Sequence, residues 1–139
     1  MSSVRQIYLT EFDVKRLRDL IRDAVQSEYR GSEYIEKLKE EIERGKIVPP
    51  AQIPADVITM NTRAQLVDME TGEEMELTLV FPQDANVLED RISVLAPIGC
   101  AMLGYQTGDI IEWDVPDGVR RLKVKAIKYQ PESSGDMHL

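Results

Sequence analysis

The chain has 139 residues, 42% of them hydrophobic, enough for one ordinary domain or a small domain with a helical appendage. No apolar run reaches the roughly 18 residues a membrane span needs, and the opening MSSVRQIYLTEFD lacks a signal-peptide core, so no membrane association and a cytoplasmic location are expected. Its net charge of −8 lies wholly in the C-terminal part: residues 1–48 hold ten basic and ten acidic side chains, residues 49–139 seven and fifteen. Nonspecific nucleic-acid binding needs clustered positive charge, so strong direct binding to DNA or RNA is excluded, and a basic protein surface is the natural partner.

In chain order, Thr10 and Asp13 form a capping signal at the head of an amphipathic helix. Val14, Leu17, Ile21 and Ala24 recur on one face, widened by Leu20 and Val25, which predicts about five turns ending near Tyr29. Gly31 and Ser32 break and recap the chain. A second helix follows with Tyr34, Ile35, Leu38 and Ile42 inward, and it fades at Gly45. So short a connection predicts an antiparallel hairpin, with Glu36, Lys37, Glu40 and Glu43 on its solvated face. Pro49, Pro50 and Pro54 predict an extended linker over 47–56, and the boundary between a 1–48 unit and a 49–139 unit is placed there.

Beyond the linker the pattern has period two. Strand segments are expected at 57–60 and 63–68, then a Glu70–Glu73 turn with Gly72 suited to positive φ. Met75, Leu77, Leu79 and Phe81 alternate with polar neighbours in a half-buried strand. A polar loop over 82–90 and a short strand over 92–95 come next. Pro97 suits the first turn of a short helix whose apolar face is Ile98, Ala101 and Met102 and whose end is Gly104. A strand over 110–115, an Asp117-Gly118 hairpin turn and a last strand over 119–129 complete the pattern, and 131–139 reads as a loose tail. With Asp117 and Gly118 as the loop, Asp114 faces Arg121, Glu112 faces Lys123, Trp113 faces Leu122 and Ile111 faces Val124. The basic cluster Arg120, Arg121, Lys123, Lys125 and Lys128 then reads as cross-strand pairing, with a contact patch as the alternative.

Chemistry-bearing constellations are missing from the sequence. One histidine, His138, and one cysteine, Cys100, leave no basis for an intrachain disulfide, a triad, a Cys–His pair or an ordinary zinc site. Neither GxGxxG nor a P-loop is present. Cys100 and Trp113 read as core, and Met60, Met69, Met75 and Met102 as packing. No catalytic residue, metal or cofactor is expected, and the chain is not expected to be an enzyme.

The C-terminal part resembles the GreA/GreB family of transcription elongation factors. The resemblance rests on Ile92-Ser93-Val94, Ala96-Pro97-Ile98-Gly99, Ala101-Met102-Leu103-Gly104, Gly108-Asp109 and Asp117-Gly118-Val119, without a gap over nearly thirty residues. The whole chain is similar to the Rnk-like members of that family, from Ile7-Tyr8-Leu9 through Asp56–Arg63 to Tyr129-Gln130-Pro131-Glu132. The resemblance implies an α+β fold, a short antiparallel helical hairpin (a coiled coil) followed by an FKBP-like antiparallel β-sheet domain holding a short helix.

It further implies a soluble, monomeric partner of RNA polymerase that docks near the secondary channel through Leu95, Ala96, Pro97, Ile98 and Gly99. The family commonly has serine at the position of Ala96. In Gre factors, acidic residues at the tip of a long hairpin promote transcript cleavage. Here Glu28 and Glu33 flank the tip, but the hairpin is about half as long, which points to polymerase binding without cleavage. The alternatives are a true cleavage factor, a direct regulator of nucleoside diphosphate kinase, as the Rnk name suggests, and a prolyl isomerase, for which aromatic residues are too few.

Overall fold

The computed structural model describes residues 7–27, 31–115 and 118–135, without the side chains of residues 34 and 113–115. Glu28, Asp117 and His138 lie outside the described residues, as do the expected inward positions of the Tyr34 and Trp113 side chains.

Strand β1 (Tyr8–Leu9) pairs in parallel with β2 (Lys46–Ile47), so the two ends of the helical pair are tied together. Helix α1 runs over Glu11–Val25 and α2 over Glu33–Glu43. The Thr10 hydroxyl caps α1 by accepting from the Asp13 N–H at 3.2 Å, as the sequence predicts. Val14, Leu17, Ile21 and Ala24 of α1 and Ile35, Leu38 and Ile42 of α2 are buried, so each stripe is satisfied by the other helix and the sheet. Helix α1 stops at Val25, short of Tyr29. The Gln26 N–H bonds to the Asp23 carbonyl and the Ser27 hydroxyl donates to the Ala24 carbonyl, which closes the last turn early.

The proline-rich segment is more ordered than a free extended linker. Val48 and Ile53 are buried and Pro50–Gln52 forms a 3-10 turn. The strand expected over 57–60 is instead a bridge followed by a turn: Val57 pairs with Gln106, and Thr59 to Thr62 curls with Asn61 at φ 65°. The Thr62 hydroxyl accepts the Thr59 N–H at 3.0 Å and shares a hydrogen bond with the Thr59 hydroxyl at 2.9 Å. Such local side-chain bonds compete with a strand ladder, and here they win.

The main sheet holds β3 (Arg63–Asp68), β4 (Glu74–Val80), β5 (Arg91–Ser93), β6 (Ile110–Val115) and β7 (Gly118–Tyr129) in the order β5-β4-β3-β7-β6. Its neighbours are antiparallel except β4 and β5, which pair in parallel; two 3-10 turns in the intervening loop carry the chain back to start β5 beside β4. Helix α3 (Pro97–Met102) packs on β5 and β6. The α+β class is as expected, with the helical pair preceding a sheet that holds a short helix.

The β6–β7 register differs from the expected one by two residues. Ile111 faces Leu122, Glu112 faces Arg121, Trp113 faces Arg120, Asp114 faces Val119, and Gly118 is already paired, with Val115. Proline has no N–H to give a ladder, so pairing that included Pro116 would lose a bond. A two-residue slip preserves the faces: Ile111, Leu122 and Val124 are all fully buried. The tail expected to be loose contains a helical turn, α4 (Pro131–Ser134), with Pro131 and Glu132 buried. The Gln130 side-chain amide anchors it by donating to the carbonyls of Pro54 and Val57, each at 2.7 Å. One contiguous buried cluster runs from Ile7 through both helices and the sheet to Val124.

Candidate docking loop and hairpin tip

The loop from Leu95 to Gly99 is held from below by Ser93. The Ser93 hydroxyl accepts the Leu95 N–H at 3.0 Å, and its carbonyl accepts the Ala96 N–H at 3.0 Å. Ala96 occupies the N-cap of α3 with extended backbone (φ −74°, ψ 150°), and its carbonyl accepts the first helical bond, from Cys100 N–H at 2.8 Å. Alanine supplies no oxygen to the helix end, so no side chain caps α3.

Pro97 follows as the first helical residue and is exposed, Ile98 is half-buried, and Leu95 and Gly99 are buried. Gly99 has no alternative: a Cβ there would lie 2.0 Å from the Ser93 carbonyl oxygen. The loop therefore offers the edge of Ala96, Pro97 and Ile98, while Leu95 and Gly99 hold it down. Cys100 is buried core, and its thiol donates to the Val94 carbonyl at 2.9 Å.

At the tip, Glu33 is the exposed first residue of α2, a favourable place for a carboxylate beside the helix N-terminus. Helices of 15 and 11 residues rise about 22 Å and 16 Å. Among the described residues no group of three or more His, Cys, Asp or Glu side chains is placed to hold a metal ion. No helix of the described residues is long and apolar enough to cross a membrane.

Three members of the basic cluster are paired across strands. Arg120 binds Asp68, Arg121 lies 3.3 Å from Glu112, and Lys125 lies 2.7 Å from Glu74. Asp68 is buried, and its carboxyl is held below the usual carboxylate range, first by the Glu70 N–H and then by Arg120 and the Thr71 N–H.

The sequence did not signal a buried polar seam joining the helices to the sheet. Asp13, 1% exposed, accepts from Arg16 at 2.6 Å, and the Arg16 guanidinium stacks between the Phe12 and Phe81 rings at 4.0 and 4.3 Å. Glu132 is buried and accepts from the Thr59 hydroxyl at 2.7 Å. Burial pushes the Asp13 carboxyl up to about 6 against the opposing pull of Arg16, and the Glu132 charge adds to the rise. Periodicity places Asp13 only as a cap; its hydrogen-bond partner Arg16 is three residues on, but Phe81 and Glu132 come from distant parts of the chain and leave no local pattern.

Two family descriptions match the chain: "Rnk N-terminus" over residues 5–48, and "Transcription elongation factor, GreA/GreB, C-term" over residues 53–129. The chain is 36% identical over 131 residues to the "Regulator of nucleoside diphosphate kinase" of Escherichia coli (strain K12), covering 94% of both proteins. It is 31% identical over 94 residues to transcription elongation factor GreA of Clostridium acetobutylicum, covering 68% of this chain and 60% of that protein. A solved structure, the prokaryotic transcription elongation factor GreA/GreB from Nitrosomonas europaea, superposes with a TM-score of 0.76 at 36% identity, over 89% of this chain and all of that one. With its short helical pair, its mixed sheet and the Ser93–Gly99 loop over α3, the chain belongs to the GreA/GreB transcription elongation factor family and carries an Rnk-type N-terminus.

Proposed function

We propose that this protein regulates transcription elongation by docking on RNA polymerase near its secondary channel through Leu95–Gly99, without promoting transcript cleavage and without catalysis of its own. The observation that carries this reading is the contrast between the two halves. The sheet and its Ala96-Pro97-Ile98 edge keep the GreA/GreB form, whereas the helices rise only about 22 Å and 16 Å. A docking surface is retained and the reach needed to deliver a tip carboxylate to a distant metal is lost. Net charge of −8 supports a basic protein partner rather than nucleic acid, and such a regulator acts in the cytoplasm as a monomer.

Pro97→Asp is the direct test. The position is exposed, and an acidic residue at a helix N-terminus is compatible with α3. The variant should fold normally and fail to co-purify with core RNA polymerase, and a Gre factor should compete with the parent protein. Undiminished binding by the variant would remove the loop from the interface. Stalled elongation complexes should retain full-length RNA when the protein is added; cleavage would sink the short-reach argument, and Glu33→Ala would then show whether the tip supplies it.

The name of the Escherichia coli relative favours a second reading, direct control of nucleoside diphosphate kinase. Mixing the purified kinase with this protein separates the two. Unchanged kinase activity leaves regulation through transcription.

A further inference from the structure

We propose that Val87 and Leu88 form a second, apolar anchor for the same partner that docks on Leu95–Gly99. This inference rests on the polymerase reading above. Leu88 is 96% exposed and Val87 79%, the two most exposed large apolar side chains among the described residues. Isolated surface apolar residues are ordinary, but these two are adjacent and are held out by a built turn.

Asn86 and Arg91 exchange both backbone hydrogen bonds at 3.0 Å and so close the loop at its base. Inside it, the Asn86 side-chain oxygen accepts the Leu88 N–H at 3.1 Å and its amide donates to Glu89 at 3.1 Å. Asp90 completes the turn in the left-handed region at φ 58°. Little backbone entropy is left to lose when such a turn binds, which is the condition for a rigid contact.

Position and charge identify the occupant. The turn feeds directly into β5, and the Leu95–Gly99 loop leaves its other end one residue later. Three residues of strand separate the two by about 10 Å, within the footprint of one ordinary interface. Strand β5 is the sheet edge, so no further strand covers that line among the described residues.

The apolar pair is flanked by the exposed carboxylates of Asp84, Glu89 and Asp90, while Arg91 is drawn back toward Glu89 at 3.8 Å. A second copy of this chain would bring the same acidic collar against itself. The complementary surface is an apolar socket rimmed by lysine or arginine on the polymerase that receives Pro97.

The experiment is a titration of core RNA polymerase with the full chain, labelled at a remote position, beside Leu88→Asp and Val87→Asp. Both positions are exposed, so melting temperatures should match the parent's. Each variant should bind about tenfold more weakly, as loss of an interface anchor does. Parental affinity in both variants overturns the anchor and leaves docking through Leu95–Gly99 intact. Failure of the parent chain to bind overturns the polymerase reading and the anchor with it. Sedimentation that shows self-association of the parent but not of Leu88→Asp assigns the patch to a second copy and also overturns the proposal.

Discussion

Gly99 shows how one atom decides a loop. Its missing Cβ lets α3 begin directly over the Ser93 carbonyl, which in turn positions Ala96 and Pro97. Gly99→Ala forces backbone apart in a packed region and should cost about 3 kcal/mol, read as a lower denaturation midpoint. A parental midpoint would mean that the loop has another way to sit. The residues of the loop were legible as a proline-started turn and helix, but Ser93 as its support was not. Nothing in the spacing distinguishes a serine that caps a loop from one that faces solvent.

At the scale of elements, α1 is fastened to the sheet by a polar seam rather than by its apolar stripe alone. Arg16 lies between a ring of its own helix and Phe81, at the end of β4, and Asp13 holds the guanidinium from the buried side. Because burial raises the Asp13 carboxyl to about 6, above its ordinary value near 3.9, the native state takes up a proton more readily than the unfolded chain. This group's contribution is therefore fully present below about pH 4 and is lost as pH rises through about 6. Asp13→Asn mimics the protonated form. It should raise stability at pH 7.5 by at most about 3 kcal/mol, at about 1.4 kcal/mol per pH unit, and flatten the pH dependence of the melting temperature between 4 and 7. A variant that keeps the parent's slope would place the titration elsewhere. The β6–β7 hairpin belongs to this scale too: Asp-Gly signalled a hairpin, but Gly118 already pairs with Val115, so the expected Asp117-Gly118 loop is not met and the ladder lies two residues from the expected register.

For the whole molecule, the buried cluster is continuous from Ile7 and Leu9 through Leu17, Ile35 and Leu38 to Leu66, Met102 and Val124. Contacts of α2 with α3 cross the proline-rich segment, and its Pro50–Gln52 turn is itself packed against α4. Helices and sheet should therefore unfold together. Far-UV ellipticity and tryptophan fluorescence are expected to give one coincident transition; separate midpoints would show that the helical pair melts on its own. This continuity also bears on docking: the Pro97 edge and the Val87–Leu88 turn are presented by a single packed body, so their spacing is set before a partner arrives.

By itself the sequence determined the helical pair, the five strands of the main sheet though not their order in it, the short proline-headed helix and the acidic charge. Each rests on local periodicity, capping residues or turn chemistry, which neighbours in the chain can express. Tertiary structure alone decided the ends of the pattern. It turned residues 59–62 into a threonine-closed turn and folded α4 against it, and it joined Asp13, Arg16, Phe81, Thr59 and Glu132 into one seam. Those choices depend on hydrogen-bond partners up to 76 residues apart, and a distance of that kind writes no period into the chain.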